Sequence, residues 1–229
     1  MKLTERLAAA AALVPSGSTI ADIGTDHGYL PVHVCQQGIC RHAVAADVAP
    51  GPLEAAVSHV RGAGLEGRID CRLGDGLSCI RQGEVDGIVI CGMGGPLMVR
   101  ILDDSRDLWQ SLQFAVLQPQ SESGVLRQFL YDHAWHIEEE TLCIDSGRLY
   151  EIMRAVPGRA EPLPAWMYEV GPINWARRSP LLKRRIELIL SKKKHVAEGL
   201  EKSRSDVQLQ VRTLRQEIAA WEERVCQLQ

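Results

Sequence analysis

Strand-like apolar runs interleaved with helical patterns dominate the chain from residue 4 to residue 133 and restrict it to very few folds. STIADI runs into the glycine-containing turn GTDHG, HAVAADV covers 42–48, and IDCRLGD covers 69–75. VDGIVICGMGG covers 85–95 and LQFAVLQPQ covers 112–120. Between and around them, residues 4–14, 29–38, 52–63, 96–104 and 122–133 carry helical spacing, with Thr4 as an N-cap and Gly64 as a C-terminal stop. WHIEEETLCID and RLYEIMRAVP then flank Ser146-Gly147, the composition of a hairpin turn. Alternation at this spacing predicts an α/β fold with a parallel, doubly wound sheet, and the hairpin adds antiparallel strands at one edge.

The pattern changes past residue 157. Residues 157–180 hold Pro157, Pro162, Pro164, Pro172 and Pro180 with Trp166 and Trp175, and read as a connector. Beyond it Leu182, Ile186, Ile189, Val196 and Leu200, then Val207, Val211, Leu214, Ile218, Trp221, Val225 and Leu228, step by three and four. That spacing is a heptad seam. Two antiparallel helices bending near Gly199 and SRSD (203–206) are the favoured arrangement, and one continuous helix with a partner is the alternative. Charge divides in the same place. Residues 1–176 hold 13 Lys and Arg against 22 Asp and Glu, whereas residues 177–229 hold 13 against 7. Domains are therefore expected at 1–156 and 157–229, the second a basic coiled-coil module. A plain solvated helical face would carry the same charges.

Seven cysteines without a CxxC pair or a Cys/His cluster predict no metal site and fit reduced thiols in a cytoplasmic setting. Cys91 beside a glycine-rich loop reads as a small strand-end hydrophobe. MKLTERLAAAAALV has Glu5 inside a short, alanine-dominated run and is expected to be an amphipathic helix rather than a leader. No run has membrane-spanning length.

In doubly wound sheets ligands bind at the carboxyl ends of the strands. Three motifs fall there. Asp22-Ile23-Gly24-Thr25-Asp26-His27-Gly28 lets the backbone turn tightly, at a spacing that does not match a pyrophosphate cradle. Asp47 ends the second strand, where a carboxylate can accept both ribose hydroxyls or cap the following helix. Leu73-Gly74-Asp75-Gly76 follows the third strand, where an acid can meet an adenine amino group or simply form a polar turn. Together the three suit one nucleoside-shaped ligand.

These residues resemble the bacterial tRNA (adenine(22)-N(1))-methyltransferases. The stretches concerned are ADIGTDHGYLPVHV (21–34), DVAPGPLEAA (47–56), RLGDGL (72–77), ICGMGGPLM (90–98), LQPQSE (117–122) and GRLYEI (147–152), with LTERL (3–7) as the opening helix. The resemblance implies a class I methyltransferase fold with a C-terminal coiled-coil hairpin, S-adenosyl-L-methionine as cofactor and tRNA as partner. It implies cofactor contacts from Gly24, Asp47, Asp75 and Gly76, and Asp22, Asp26, Gly28, Cys91 and Gly92 are expected to contact the cofactor beside them. It sets the loop from Cys91 to Gly95 beside the reacting methyl, with Gly92 and Met93 at the chemistry. Many amino-group methyltransferases of nucleic acids carry Asn/Asp-Pro-Pro-aromatic at this strand end. Gly92-Met93-Gly94-Gly95 stands here instead, so a ring nitrogen is the expected target.

Asp26 is the expected stabiliser of a cationic product, or alternatively a helix cap. His27 is expected to contact the base or a phosphate, or to cap the same helix. Tyr29 would stack on a base or pack beneath the turn. Arg6 would reach a phosphate or remain an exposed helix arginine. Gln118 and Pro119 would line the substrate pocket, unless the Gln118 amide holds the loop. Lys183, Arg184, Lys192 and Lys193 belong to a stretch, 177–204, with ten Lys and Arg against three Glu, suited to tRNA phosphates. Two other readings stay open: a small-molecule methyltransferase with a helical dimerisation arm, and an RNA-binding protein without catalysis. Monomer and dimer are equally compatible with the sequence.

Overall fold

The computed structural model describes residues 3–201 and 207–228. Two compact units divide after Ile173. The first begins with α1 (Glu5–Ala12), capped by Thr4, whose hydroxyl accepts from the Leu7 amide at 3.4 Å. Then come β1 (Ser18–Ile23), α2 (Tyr29–Gln36), β2 (Cys40–Asp47), α3 (Pro50–Gly62), β3 (Ile69–Leu73) and β4 (Gly87–Gly94). They are followed by α4 (Gly95–Asp104), α5 (Arg106–Trp109), β5 (Phe114–Ser121), α6 (Ser123–Asp132), β6 (Trp135–Asp145), β7 (Arg148–Pro157) and α7 (Ala165–Val170), and the division between the units falls within α8 (Pro172–Ala176).

The seven strands form one sheet in the order β3-β2-β1-β4-β5-β7-β6. The first five are parallel, and β7 runs antiparallel to both β5 and β6. Ser146 and Gly147 turn the β6–β7 hairpin at φ 49° and 79°, the two positive values that a two-residue type I′ turn needs. Side chains alternate between two cores. Ile23, Ile88 and Ile90 face Met98, Leu102, Trp109, Leu126 and Leu130 from α4 to α6. Ile20, Val89 and Cys40 face Ala10, Leu30, Val34 and Val60 from α1 to α3. Each fully buried aliphatic side chain contributes roughly 1.5–3 kcal/mol, so both faces of the central strands fix the sheet and hold its tips in register.

The Pro-rich stretch differs from the connector expected of it. Pro164 is the N-cap of α7 and Pro172 opens α8, places where a missing amide proton costs a helix nothing. The buried guanidinium of Arg127 donates to the Tyr168 carbonyl at 2.8 Å, which ties α7 to α6. The first unit thus runs past residue 156 to Ile173.

The second unit is Asn174–Gln229. It contains α9 (Leu182–Glu201) and α10 (Gln208–Cys226). Ion pairs Lys193–Glu217, Lys194–Glu222 and Glu201–Arg215 link the two helices, so they run antiparallel. This is the hairpin rather than the continuous helix. Gly199 lies within α9, and SRSD falls outside the described residues. Along α9, Val196 is 45% exposed while Ala197 is buried, one position away from the expected seam.

Candidate cofactor and substrate site at the strand tips

Ile23 pairs with Ala46, so the turn after β1 lies beside Asp47 at the end of β2. The Gly24 and Thr25 amides both donate to the Ala46 carbonyl at 2.9 Å. The chain then passes through four positive φ values in five residues: Gly24 71°, Asp26 39°, His27 24° and Gly28 69°. Two of these are non-glycine residues, an arrangement that stores strain and concentrates at functional sites. Gly24 also lies against β4: a Cβ there would push the Met93 methyl aside. The tips of β1, β2 and β4 are thereby brought to one place.

Asp47 occupies the centre. Its Oδ2 accepts from the Asp26 amide at 3.3 Å and its Oδ1 from the Ala49 amide at 2.8 Å. A carboxylate has about four acceptor sites, so each oxygen keeps capacity for a further donor. The N-cap of α3 is Ala49 and that of α2 is Gly28, neither with a side-chain cap bond. Helix capping by Asp47, Asp26 or His27 is therefore not what these side chains do. The Asp26 side chain is 74% exposed, with His27 Nε2 at 3.4 Å from its Oδ1.

Beneath the turn, Asp22 is buried and accepts from the Thr25 hydroxyl at 2.7 Å. Burial pushes its carboxyl up to about 7, Asp47 and Asp26 add to the rise, and the Thr25 bond and Arg6 oppose it. Cys91 is pushed well above the usual thiol range by burial and by Asp22, which fits the expected strand-end hydrophobe and no nucleophile.

Gln118, fully buried, organises the end of β4. Its Oε1 accepts from the Arg6 guanidinium at 2.7 Å and from the Gly92 amide at 3.1 Å, and its Nε2 donates to the Pro119 carbonyl at 3.1 Å. Gln118 and Pro119 therefore do not line an open pocket; the amide holds the loop. The Gly92 amide is committed to Gln118, and Gly92 itself turns at φ 83°. Arg6 does not extend outward: its guanidinium is held by Gln118 and lies 5.7 Å from the Tyr150 ring. Tyr29 stacks on His59 with centroids 5.0 Å apart, a packed ring at the edge of the turn.

At the next strand tip, the Gly74 amide donates to the Asp47 carbonyl at 2.9 Å, fixing the Leu73–Gly76 loop against β2. Asp75 is exposed. Gly76 turns at φ 55°, and a Cβ there would stand 3.1 Å from Ile101. Two residues to which sequence spacing gives no role stand at the same edge: Val48 and Leu73, 65% and 58% exposed. Asp47 and Leu73 are register partners, so the two apolar side chains flank the acid. The available signal was position, since an apolar residue just beyond a strand tip has left the core.

The structure thus brings Gly24, Asp26, Asp47 and Met93 together, with Asp22 beneath them, Gly92 next to Met93 at the end of β4 and Asp75 on the loop after β3. Lys183, Arg184, Lys192 and Lys193 all lie on α9 in the second unit. Lys193 is paired with Glu217 at 2.9 Å. Among the described residues no His, Cys, Asp and Glu group could hold a metal ion, and no helix is long and apolar enough to cross a membrane.

Residues 3–153 match a family model described as a methyltransferase domain. The tRNA (adenine(22)-N(1))-methyltransferase of Bacillus subtilis is 35% identical over 158 residues, which are 69% of this chain and 66% of that one. The crystal structure of the B. subtilis m1A22 tRNA methyltransferase superposes with a TM-score of 0.87 at 28% identity, covering 99% of this chain and 98% of that one. A Streptococcus pneumoniae protein crystallised in complex with S-adenosyl-L-methionine superposes with a TM-score of 0.87 at 30% identity, covering 97% and 99%. Sheet order, strand-tip acids and these similarities agree: the chain belongs to the tRNA (adenine(22)-N(1))-methyltransferase family.

Proposed function

We propose that this chain transfers the methyl group of S-adenosyl-L-methionine to N1 of adenine 22 in tRNA. The observation that carries the reading is the Asp47 carboxylate, held by two backbone amides at the meeting point of three strand tips with acceptor capacity to spare. A nucleoside ribose presents two adjacent donors that suit it. Val48 and Leu73 offer apolar faces for a purine, and Asp75 offers an acceptor for its amino group.

When bound, S-adenosyl-L-methionine supplies an electrophilic sulfonium methyl. Adenine N1 has an in-plane lone pair and needs no base before attack. The work of this chain is therefore orientation, which contributes on the order of 7–11 kcal/mol where reactants are well aligned. Met93 and Gly92 shape the wall nearest the reaction. Asp26, exposed at the mouth, stabilises the positive charge that methylation places on the base and accepts the amino proton afterwards. Asp22, beneath, keeps the turn in place through Thr25.

The target base lies in a folded tRNA and must be extruded, at a few kcal/mol. The basic α9–α10 module supplies phosphate contacts for this through Lys183, Arg184 and Lys192, with Lys193 partly engaged by Glu217. Such contacts make binding weaken as salt rises.

The test is methyl transfer from labelled S-adenosyl-L-methionine to unmodified tRNA, with the product mapped by reverse-transcription stops. One stop at adenine 22 is expected. Transfer to a metabolite pool with tRNA left unlabelled would replace this reading with a small-molecule methyltransferase. Exchanging Lys183, Arg184 and Lys192 for Gln is expected to weaken tRNA binding and flatten its salt dependence while cofactor affinity stays unchanged.

A further inference from the structure

His59, on α3, stands behind the strained turn and has no part in the chemistry above. Its Nδ1 lies 2.7 Å from the His27 carbonyl oxygen. A carbonyl oxygen only accepts, so Nδ1 carries the proton and donates. The ring also stacks on Tyr29, with centroids 5.0 Å apart and planes 30° from parallel. His27 completes the group at 5.5 Å from Tyr29 and 6.2 Å from His59.

The accepting residue is what gives this bond its meaning. Asp26 and His27 hold left-handed φ values without being glycine, and such residues persist only where the surroundings over-determine them. Two side chains anchor this backbone. Asp47 accepts from the Asp26 amide on one side, and His59 donates to the His27 carbonyl on the other. Between these two bonds lies the peptide that carries the Asp26 side chain. Asp47 is also the residue offered to a ligand, whereas His59 is engaged with the turn and with Tyr29.

We infer that His59 is a positioning residue for methyl transfer: its Nδ1–H donates to the His27 carbonyl and holds the Asp26–His27 turn in the orientation that the reaction uses. This rests on the function proposed above. The hydrogen bond, rather than the ring stacking, is the element that matters, and three substitutions separate the two. His59→Ala removes both. His59→Phe keeps a ring against Tyr29 and removes the donor. His59→Asn restores an amide donor near the Nδ1 position and removes the ring.

Steady-state methylation of tRNA by the full-length variants, with melting temperatures alongside, gives the answer. The Ala and Phe variants are expected to lose kcat by about 10- to 100-fold with KM for S-adenosyl-L-methionine within about threefold, the signature of lost orientation. The Asn variant is expected to recover most of the loss. Wild-type kcat in the Ala variant, or recovery by Phe and not by Asn, would overturn the inference. A long-range 15N–1H spectrum of the ligand-free protein at pH 8.5, with the His59 signals identified by their loss in the Asn variant, supplies a readout apart from activity. The Nδ1–H tautomer is expected, and the Nε2–H tautomer would overturn the inference. A wild-type chain that left tRNA unmethylated would overturn the proposed function, and the tautomer would still decide the hydrogen bond by itself.

Discussion

Two clusters of acids sit in the same unit and are built in opposite ways. Around Arg127, the guanidinium is fully buried between Glu140 at 2.7 Å and Glu151 at 2.9 Å, and it also bonds the Ser123 hydroxyl and the Tyr168 carbonyl. At the strand tips, Asp22, Asp26 and Asp47 meet backbone amides, a hydroxyl and one another. Among the described residues no Lys or Arg forms an ion pair with any of the three, although His27 Nε2 lies 3.4 Å from Asp26 and the Arg6 charge acts on Asp22 from farther off. The first cluster joins α6, β6, β7 and α7 and closes both of its carboxylates on one guanidinium. The second keeps unspent acceptor capacity and an elevated Asp22 carboxyl, and a perturbed acid without an ion-pair partner belongs to a binding site more often than to a scaffold. Charge compensation, rather than the number of acids, separates the structural group from the functional one.

The comparison can be broken most severely at Arg127. Arg127→Met strands two buried carboxylates and is expected to cost about 3–5 kcal/mol in chemical denaturation. A loss under 1 kcal/mol would mean that the closed cluster is not structural. The next effect concerns Asp22. Its carboxyl rises from the ordinary 3.8 to about 7 on folding. The folded chain therefore binds more protons than the unfolded chain between those values, and stability falls as pH rises from 3.8 to 7. Asp22→Asn removes that loss and is expected to be about 1–3 kcal/mol more stable than the wild type at pH 8, with the gap narrowing by pH 5. Urea titrations at both pH values check this, and equal differences at the two would contradict it. The smallest effect is at Asp26. Asp26→Asn is expected to lower kcat about tenfold through the lost charge beside a cationic product, with cofactor affinity unchanged. Unaltered turnover would remove Asp26 from the chemistry.

Much of this contrast was legible in the sequence, though unevenly. Interleaved strands and helices, the Ser146-Gly147 hairpin and the heptad seam announced both units, because periodicity reports which face of each element is buried. Glycines and acids at strand ends announced the strand-tip cluster, because local spacing sets where a strand stops. The Arg127 cluster was invisible: its partners lie 13 and 24 residues from it, on β6 and β7, and no local pattern joins them. The short helices α5 and α7 were hidden for a different reason. Four or six residues are too few to display a helical period, and the prolines around α7 read as loop although one of them is its cap. Gln118 was left between two roles. Its complete burial decides for holding the loop, and burial of one amide depends on the α1 side chain that covers it, Arg6.

The central claim, that the uncompensated acids at the strand tips form the cofactor site, is tested most directly by calorimetric titration of S-adenosyl-L-methionine into the wild type and Asp47→Ala. One cofactor per wild-type chain is expected. In the variant the Kd is expected to rise about 10- to 100-fold, the scale of one or two lost hydrogen bonds to a charged group, with a lower melting temperature from the two backbone bonds lost at the turn. Equal affinity in the two proteins, each still folded, would contradict the account.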